Sequence, residues 1–485
     1  MINMVYTDEQ GNLYDHPSLA ACGRSGDQFL PLDSDQVIPI PEGASLVSLP
    51  ERVAAGWDRR RGGLRFIEQS VTENGRSRIY PVGVLLPQGF TRFLLPGFKR
   101  PSNARRSSAV GSAANGADVS TSIDAGAITT SVVPLPLYGY TAVGMRHGRL
   151  VVAALQTDEH HKWNPRFFNT PDLKERVSER LADDPDNRIL RQLAKCSLDY
   201  CCFTAQNIFY QRWEGGLPVS PACNAACLGC ISLQESECCP SPQGRIAFRP
   251  NLDEAVRVAV THLSSSTHVE NAPRVSRRDS WALDGGDPII SFGQGCEGEP
   301  SLEADLIAQI IAQTRKTVTK GVFNINTNGG FTDGIVKIVD AGLNSARFSI
   351  ISALPTDFCS YYRPKGYRLD DVGRSIDICM AHGVYVALNL LCLPGYTDRT
   401  DQMEALSVFL AKHPVNMIQL RNLNIDPDIL PEQFRTGRVA GAGVGASAGA
   451  GASASGAAGF AALIERLTAI VGRDGIGNYT RVQTP

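Results

Sequence analysis

Residues 220–232 read Ser-Pro-Ala-Cys-Asn-Ala-Ala-Cys-Leu-Gly-Cys-Ile-Ser, and the spacing of Cys223, Cys227 and Cys230 within them decides how the rest of the chain is read. A C-x3-C-x2-C run places three thiolates on one tight loop. That is enough to hold three irons of a [4Fe–4S] cluster and leave the fourth iron without a protein ligand. A cluster that only stores or passes electrons has every iron capped by protein, whereas an open iron is wanted where a small molecule must bind it. Two other chemistries use such a loop. A zinc knuckle needs a fourth ligand, and Cys238 and Cys239 lie close enough in sequence to supply it. Reduced, buried thiols need no partner at all.

From about residue 217 to residue 425 short apolar runs alternate with amphipathic stretches, the pattern of repeated β/α units around a parallel sheet. Strands are expected over 217–220, 288–293, 322–327, 346–352, 384–393 and 416–422. Between them Ser301 is expected to N-cap a helix with a buried stripe of Leu306, Ile307, Ile310 and Ile311. Thr332 opens a second, with Ile335, Val336 and Val339 inward and Gly342 as its stop. A third carries Val372, Ile376, Cys379 and Met380 and ends at Gly383; a fourth carries Met403, Leu406, Phe409 and Leu410. Six strands in this rhythm suit an incomplete (β/α) barrel. Any parallel α/β fold shares the rhythm, and a fold alone implies no function.

The polar signals fall at the carboxyl ends of those strands, where such barrels collect their chemistry. They are Gly295-Cys296-Glu297-Gly298-Glu299-Pro300, Asn326-Thr327-Asn328-Gly329, Ser349 and Ser352, and Asn389 followed by Leu393-Pro394-Gly395. With the cysteine loop, this order resembles the radical S-adenosylmethionine (SAM) enzymes over roughly residues 217 to 425. The chain departs from their pattern twice. Gly229 stands before the third cysteine, where the family usually has an aromatic residue, and Glu297 replaces the first glycine of a Gly-Gly-Glu-Pro element.

The resemblance implies a partial (β/α)6 TIM-like barrel and two cofactors, a [4Fe–4S] cluster on Cys223, Cys227 and Cys230, and SAM. It carries Gly298 and Glu299 over to the methionine end of SAM, Asn326 and Asn328 to the same strand-end site, Ser349 and Ser352 to the ribose, and Asn389, Pro394 and Gly395 to the adenine side. It also implies reductive cleavage of SAM to a 5′-deoxyadenosyl radical that takes hydrogen from a substrate, and an electron donor such as ferredoxin or flavodoxin. Tyr361, Tyr362, Arg363, Arg421 and Asn424 are candidates for the substrate side. The substrate, whether small molecule, peptide or RNA, is not identified by these residues, and no catalytic side chain is assigned. The alternative is a non-catalytic iron–sulfur or zinc protein whose loop is closed by Cys238 or Cys239.

Residues 1–210 read as a smaller α+β domain with antiparallel strands and no motif of known chemistry. A hairpin is expected from 135–143 and 150–156 about a turn over 144–149, followed by helices near 170–183 and 187–196. Adjacent side chains on one segment leave it in different directions, so His160 and His161 are not taken as metal ligands; Cys196, Cys201 and Cys202 sit among Leu, Tyr, Phe and Ile and suit a packed core. Residues 101–133 and 437–459 are small-residue insertions expected to be flexible. The barrel is assigned to 211–430, and a C-terminal extension to 431–485 with a final helix over 461–471. In 485 residues, 47 Lys and Arg against 49 Asp and Glu leave a net charge of −2, which argues against a broad nucleic-acid surface. Thirteen cysteines behind a polar first segment point to a reducing cytosol and to no membrane association.

Overall fold

The computed structural model of the chain describes residues 1–50, 52–72, 75–101, 139–158, 161–232, 244–264, 288–428, 430, 431, 434 and 458–479. Seven parallel strands pair in chain order as one curled sheet: β1 (Glu214–Gly216), β2 (Ile289–Phe292), β3 (Val322–Thr327), β4 (Ser345–Ile350), β5 (Tyr385–Cys392), β6 (Met417–Asn422) and β7 (Ile476–Gly477). Helices connect them: α4 (Leu252–Ser264), α5 (Ala304–Arg315), α6 (Thr332–Asp340), α7 (Pro355–Tyr362), α8 (Leu369–Ala381), α9 (Thr400–Lys412) and α10 (Phe460–Val471). Three more precede β1: α1 (Leu173–Asp183), α2 (Arg188–Leu198) and α3 (Phe203–Tyr210).

Successive strand residues point to opposite faces, and the sequence divides them sharply. One face carries Phe292, Phe323, Ile325, Phe348, Leu388 and Leu420, all fully buried in the main hydrophobic core with the helix stripes. The other carries Ser291, Asn324, Asn326, Arg347 and Gln419. There Glu214 of β1 meets Arg347 of β4 in a buried two-bond ion pair, at 2.7 and 2.9 Å. Burial would raise the Glu214 carboxyl, but the Arg347 charge wins and holds it below the ordinary range. The main core also takes in Trp163, Phe167, Ile189, Leu193, Ile208 and Phe209, so α1–α3 pack with the parallel sheet.

Several expectations need correction. The first strand is Glu214–Gly216, and 217–220 runs on without strand pairing of its own beyond Leu217. Pro218 has no amide hydrogen to give a ladder, and the Val219 and Ser220 amides are claimed by a side chain. Ser301 does not cap α5; Glu299 caps the 3-10 turn Pro300–Glu303, and the Ser301 hydroxyl donates to that carboxylate at 2.7 Å. Val336 is exposed, because Ile335, Ile338 and Val339 share the buried side of α6 at helical spacing. The hairpin pairs Val143–Arg146 with Arg149–Val152, and its turn is only His147-Gly148, both at positive φ (51° and 73°). Two left-handed residues give the tight turn whose twist matches a hairpin. The sheet also has a seventh strand, β7, that no apolar run announces. The insertions at 101–133 and 437–459 fall outside the described residues except for 101, 458 and 459.

Among the described residues of 1–158, antiparallel pairs build a twelve-stranded sheet and two two-stranded ones, and this part docks on the carboxyl ends of β5 and β6. The Arg52 and Arg100 guanidinium groups both reach the Asp426 carboxylate at 2.7 Å, and Arg24 pairs with Asp428. The Asn422 side chain accepts from the Arg92 amide at 3.0 Å and donates to the Phe90 carbonyl at 2.9 Å, as one more strand would. No described helix is long and apolar enough to cross a membrane.

This docking gives a stability prediction. Asp426→Ala leaves Arg52 buried without its carboxylate and should cost about 3–5 kcal/mol, whereas Arg100→Ala removes a half-buried partner and should cost about 1 kcal/mol or less. Urea unfolding of the two variants checks this; equal losses would show that Asp426 is not the anchor.

Candidate functional site

Cys223, Cys227 and Cys230 lie on the loop that leaves β1, and three strand ends converge on that loop. On its entry side the Gly298 amide donates to the Ser220 carbonyl at 2.7 Å and the Glu299 amide to the Ala222 carbonyl at 2.8 Å. A side chain at position 298 would put its Cβ 1.9 Å from the Ala222 oxygen, so only glycine permits this approach. On its far side the Ala226 and Leu228 amides donate to the Tyr362 and Tyr361 carbonyls, each at 3.0 Å. Lys365 N–H reaches the Asn224 carbonyl at 2.8 Å, and the Asn328 amide group reaches Asn224 Oδ1 at 2.6 Å. Segments after β2, β3 and β4 therefore hold the same thirteen-residue stretch that carries the thiols.

The three cysteines are half-buried. Burial, then the Glu299 charge, pushes the Cys223 thiol up; burial, then Cys230 and Cys223, pushes Cys227 up further. Thiols that disfavour one another's ionisation suit a bound cation, which makes thiolate the stable form. Arg245 Nη2 approaches Cys230 Sγ at 3.9 Å. Among the described residues no three His, Cys, Asp or Glu side chains converge on a single metal ion. Three soft thiols on one pinned loop are the donor set that would hold an iron–sulfur cluster. Cys238 and Cys239, the alternative fourth ligands, lie outside the described residues, as does His160.

The other predicted residues divide into two groups. Glu299 is fully enclosed: Oε1 accepts from Ser301 N–H, the Ser301 hydroxyl and Thr327 Oγ1, and Oε2 from Asn328 N–H at 2.8 Å. Burial pushes its carboxyl up against the pull of those donors. Asn326 donates to Ser291 Oγ and the Phe292 carbonyl and accepts from Arg347. Ser349 and Asn389 are register partners on β4 and β5, on the same face as Arg347, and Asn389 Oδ1 is buried without a hydrogen-bond partner. Ser352 is already used, donating to Gln402 Oε1 at 2.6 Å and accepting from Leu354 N–H. Pro394-Gly395 is buried under the N-terminal sheet, with the Pro394 carbonyl accepting from Gly26 N–H at 2.9 Å.

Of the residues expected to face a substrate, Tyr361 and Tyr362 are buried behind the cysteine loop, whereas Arg363 and Asn424 are exposed. Arg421 donates to Gln419 Oε1 at 2.7 Å, and burial lowers its pKa to about 10. Sequence reasoning missed the structural work of Tyr361. A Cβ on Gly229 would lie 2.4 Å from Tyr361 Oη, so this ring fills the space beside the residue that precedes Cys230. Burial, then the nearby Cys227, raises the Tyr361 phenol. It also missed the Glu214 ion pair and the bonds that Glu297 makes, since Arg347, Val219 and Ser220 are far away in sequence.

No protein-family model and no curated protein matches the chain. Solved structures do. One is native anSMEcpe with bound AdoMet, at 16% identity over 43% of this chain and 52% of that one, TM-score 0.29. Another is the radical S-adenosylmethionine methyltransferase TsrM of Kitasatospora setae with cobalamin and a [4Fe–4S] cluster, at 12% over 44% and 37%, TM-score 0.29. A third is a radical SAM methyltransferase from Sphaerobacter thermophilus, at 14% over 51% and 82%, TM-score 0.30. The chain spans about half the length of the first and little more than a third of the second.

The Gly229–Tyr361 contact yields a second prediction. Gly229→Ala should cost about 1–3 kcal/mol by overpacking. Its nearest obstacle is the hydroxyl oxygen, ahead of Leu423 Cδ1 at 3.0 Å and the ring carbon Cζ at 3.4 Å, so the same change should cost less in a Tyr361→Phe background, with the Leu423 contact left in place. A double-mutant cycle by urea unfolding measures the coupling; additivity within about 0.5 kcal/mol would refute the contact.

Proposed function

We propose that this chain is a radical SAM enzyme in which Cys223, Cys227 and Cys230 hold a [4Fe–4S] cluster and S-adenosylmethionine takes the remaining iron. One observation carries the reading: the three thiols share a loop hydrogen-bonded on one side to Gly298 and Glu299 and on the other to Asn328 and the end of α7. A zinc knuckle has no use for those elements. When bound and reduced, the cluster supplies the electron that splits SAM into methionine and the 5′-deoxyadenosyl radical used to take hydrogen from substrate.

The chain's own residues have the tasks of binding and exclusion. Gly298 brings backbone against the run into Cys223, and Glu299 ties that backbone to Thr327 and Asn328, so these residues are assigned to the methionine end. Asn326 joins β3 to β2 beneath them. Ser349 and Asn389 are assigned to the ribose and adenine end, because Asn389 keeps a buried acceptor unused. Ser352, Pro394 and Gly395 support that edge through Gln402 and Gly26. Residues 1–158 are assigned the role of a cover over the strand ends, shielding the reaction from water. The electron donor is a small redox protein such as ferredoxin or flavodoxin, the compartment is the cytoplasm, and the substrate class remains a small molecule, a peptide or RNA.

Anaerobic reconstitution with iron and sulfide should give the broad visible absorption of a cluster in the wild type and none in Cys227→Ala. SAM should change the electron paramagnetic resonance spectrum of the reduced wild-type cluster. Glu299→Ala should keep its iron but need about 10- to 100-fold more SAM for that change, as when the support of a ligand is lost. A wild-type spectrum indifferent to SAM would sink the proposal.

A further inference from the structure

Glu297 stands where the resembling pattern has glycine, yet its side chain is among the most thoroughly bonded in the protein. It is 3% exposed. Oε2 accepts from Val219 N–H at 2.8 Å and Ser220 N–H at 3.0 Å; Oε1 accepts from Gly293 N–H at 2.5 Å and Gln294 N–H at 3.2 Å. All four donors are main-chain amides, two on the run into the cysteine loop and two just past β2. The next two residues bind the same run, through Gly298 N–H to Ser220 and Glu299 N–H to Ala222. Beyond it, Ser232 Oγ reaches the Glu297 carbonyl at 3.4 Å, at the far end of the loop.

A glycine here has no acceptor to offer. Two buried amides, of Val219 and Ser220, and two half-buried ones, of Gly293 and Gln294, would then have to find other partners or go unpaired, which folded proteins avoid. We infer that Glu297 is a positioning residue that shapes the cysteine loop before any cluster is bound, by using one carboxylate to tie the loop entry to the end of β2. This rests on the reading of the loop as a cluster site. The carboxylate bonds to main-chain amides and to none of the three thiols. It acts on Cys223 through Val219, Ser220 and the adjoining Ala222, so the first ligand leaves the sheet at a fixed point and in a fixed direction.

Glu297→Gln is the discriminating change, because it keeps size and shape and alters only donors and acceptors. The carboxamide sets its own N–H groups against two of the four amides. Iron loss from the reconstituted variant to a ferrous chelator should be about 10- to 100-fold faster than from wild type, the usual effect of losing a residue that orients a ligand. Cluster-free protein should show the same cause directly: the Val219 and Ser220 amides exchange slowly with deuterium in wild type and in Cys227→Ala, and fast in Glu297→Gln. Arg100→Ala, remote from the loop, controls for general loosening. Wild-type iron retention in Glu297→Gln, or acceleration matched by that control at equal loss of stability, would overturn the inference. If Glu297→Gln does not fold, fast exchange of Val219 and Ser220 in cluster-free wild type overturns it and slow exchange supports it. Failure of the wild type to take up any cluster would instead defeat the functional reading, and amide exchange would still test the clamp.

Discussion

The cysteine loop is irregular, half-buried backbone, and such backbone keeps one shape only if its polar groups find partners. Here they find them outside the loop. Ser220 and Ala222 bond to the segment after β2, Asn224 to Asn328 and Lys365, and Ala226 and Leu228 to the last turn of α7. Each partner lies on a segment that follows a parallel strand, past β2, at the end of β3, or at the end of α7 beyond β4, so the loop's shape depends on the sheet being assembled in register. The polar strand-end elements thereby serve twice, as supports of the thiol loop and as the surroundings of whatever binds beside it.

The two departures from the resembling pattern both have answers in space. The aromatic ring absent at Gly229 is matched by Tyr361, which comes from α7 and stacks edge-on against Tyr362 with centroids 4.9 Å apart. The glycine absent at position 297 is replaced by a carboxylate that gathers four amides. Glycine at 229 makes room for Tyr361, so the substitution and its compensation depend on each other. The first answer comes from far along the chain, and the second joins two neighbouring amides to two that lie 78 and 77 residues away.

That explains how much was legible beforehand. Strands β2 to β6 and helices α5, α6, α8 and α9 could be read because their core-facing positions repeat with period two or near 3.6, and burial enforces the repeat. β1 was misplaced because its core is glycine: a Cβ on Gly215 would meet Ile208 at 2.3 Å and His262 at 2.9 Å, so the strand carries no apolar signal there. β7 is two residues long and follows a helix rather than an apolar run. Spacing singled out the cysteine loop and the resemblance singled out Gly298, and the fold brings the two segments together. The Glu214–Arg347 pair spans 133 residues and Arg52–Asp426 spans 374, and separations of that size leave no trace in a local pattern. Ser352 and Pro394-Gly395 were read as contacts for a ligand, whereas the hydroxyl and the turn are engaged by Gln402 and Gly26, partners that only the folded chain brings near.

The central claim is that the loop of Cys223, Cys227 and Cys230 supports reductive cleavage of SAM. The most direct test is an anaerobic incubation of the reconstituted protein with dithionite and SAM, with chromatographic detection of 5′-deoxyadenosine. The account predicts that it forms, and that it fails to form when any one of the three cysteines is replaced by alanine. A fully loaded cluster in the wild type that yields no 5′-deoxyadenosine, with or without candidate substrates, and whose spectrum does not respond to SAM, would contradict it.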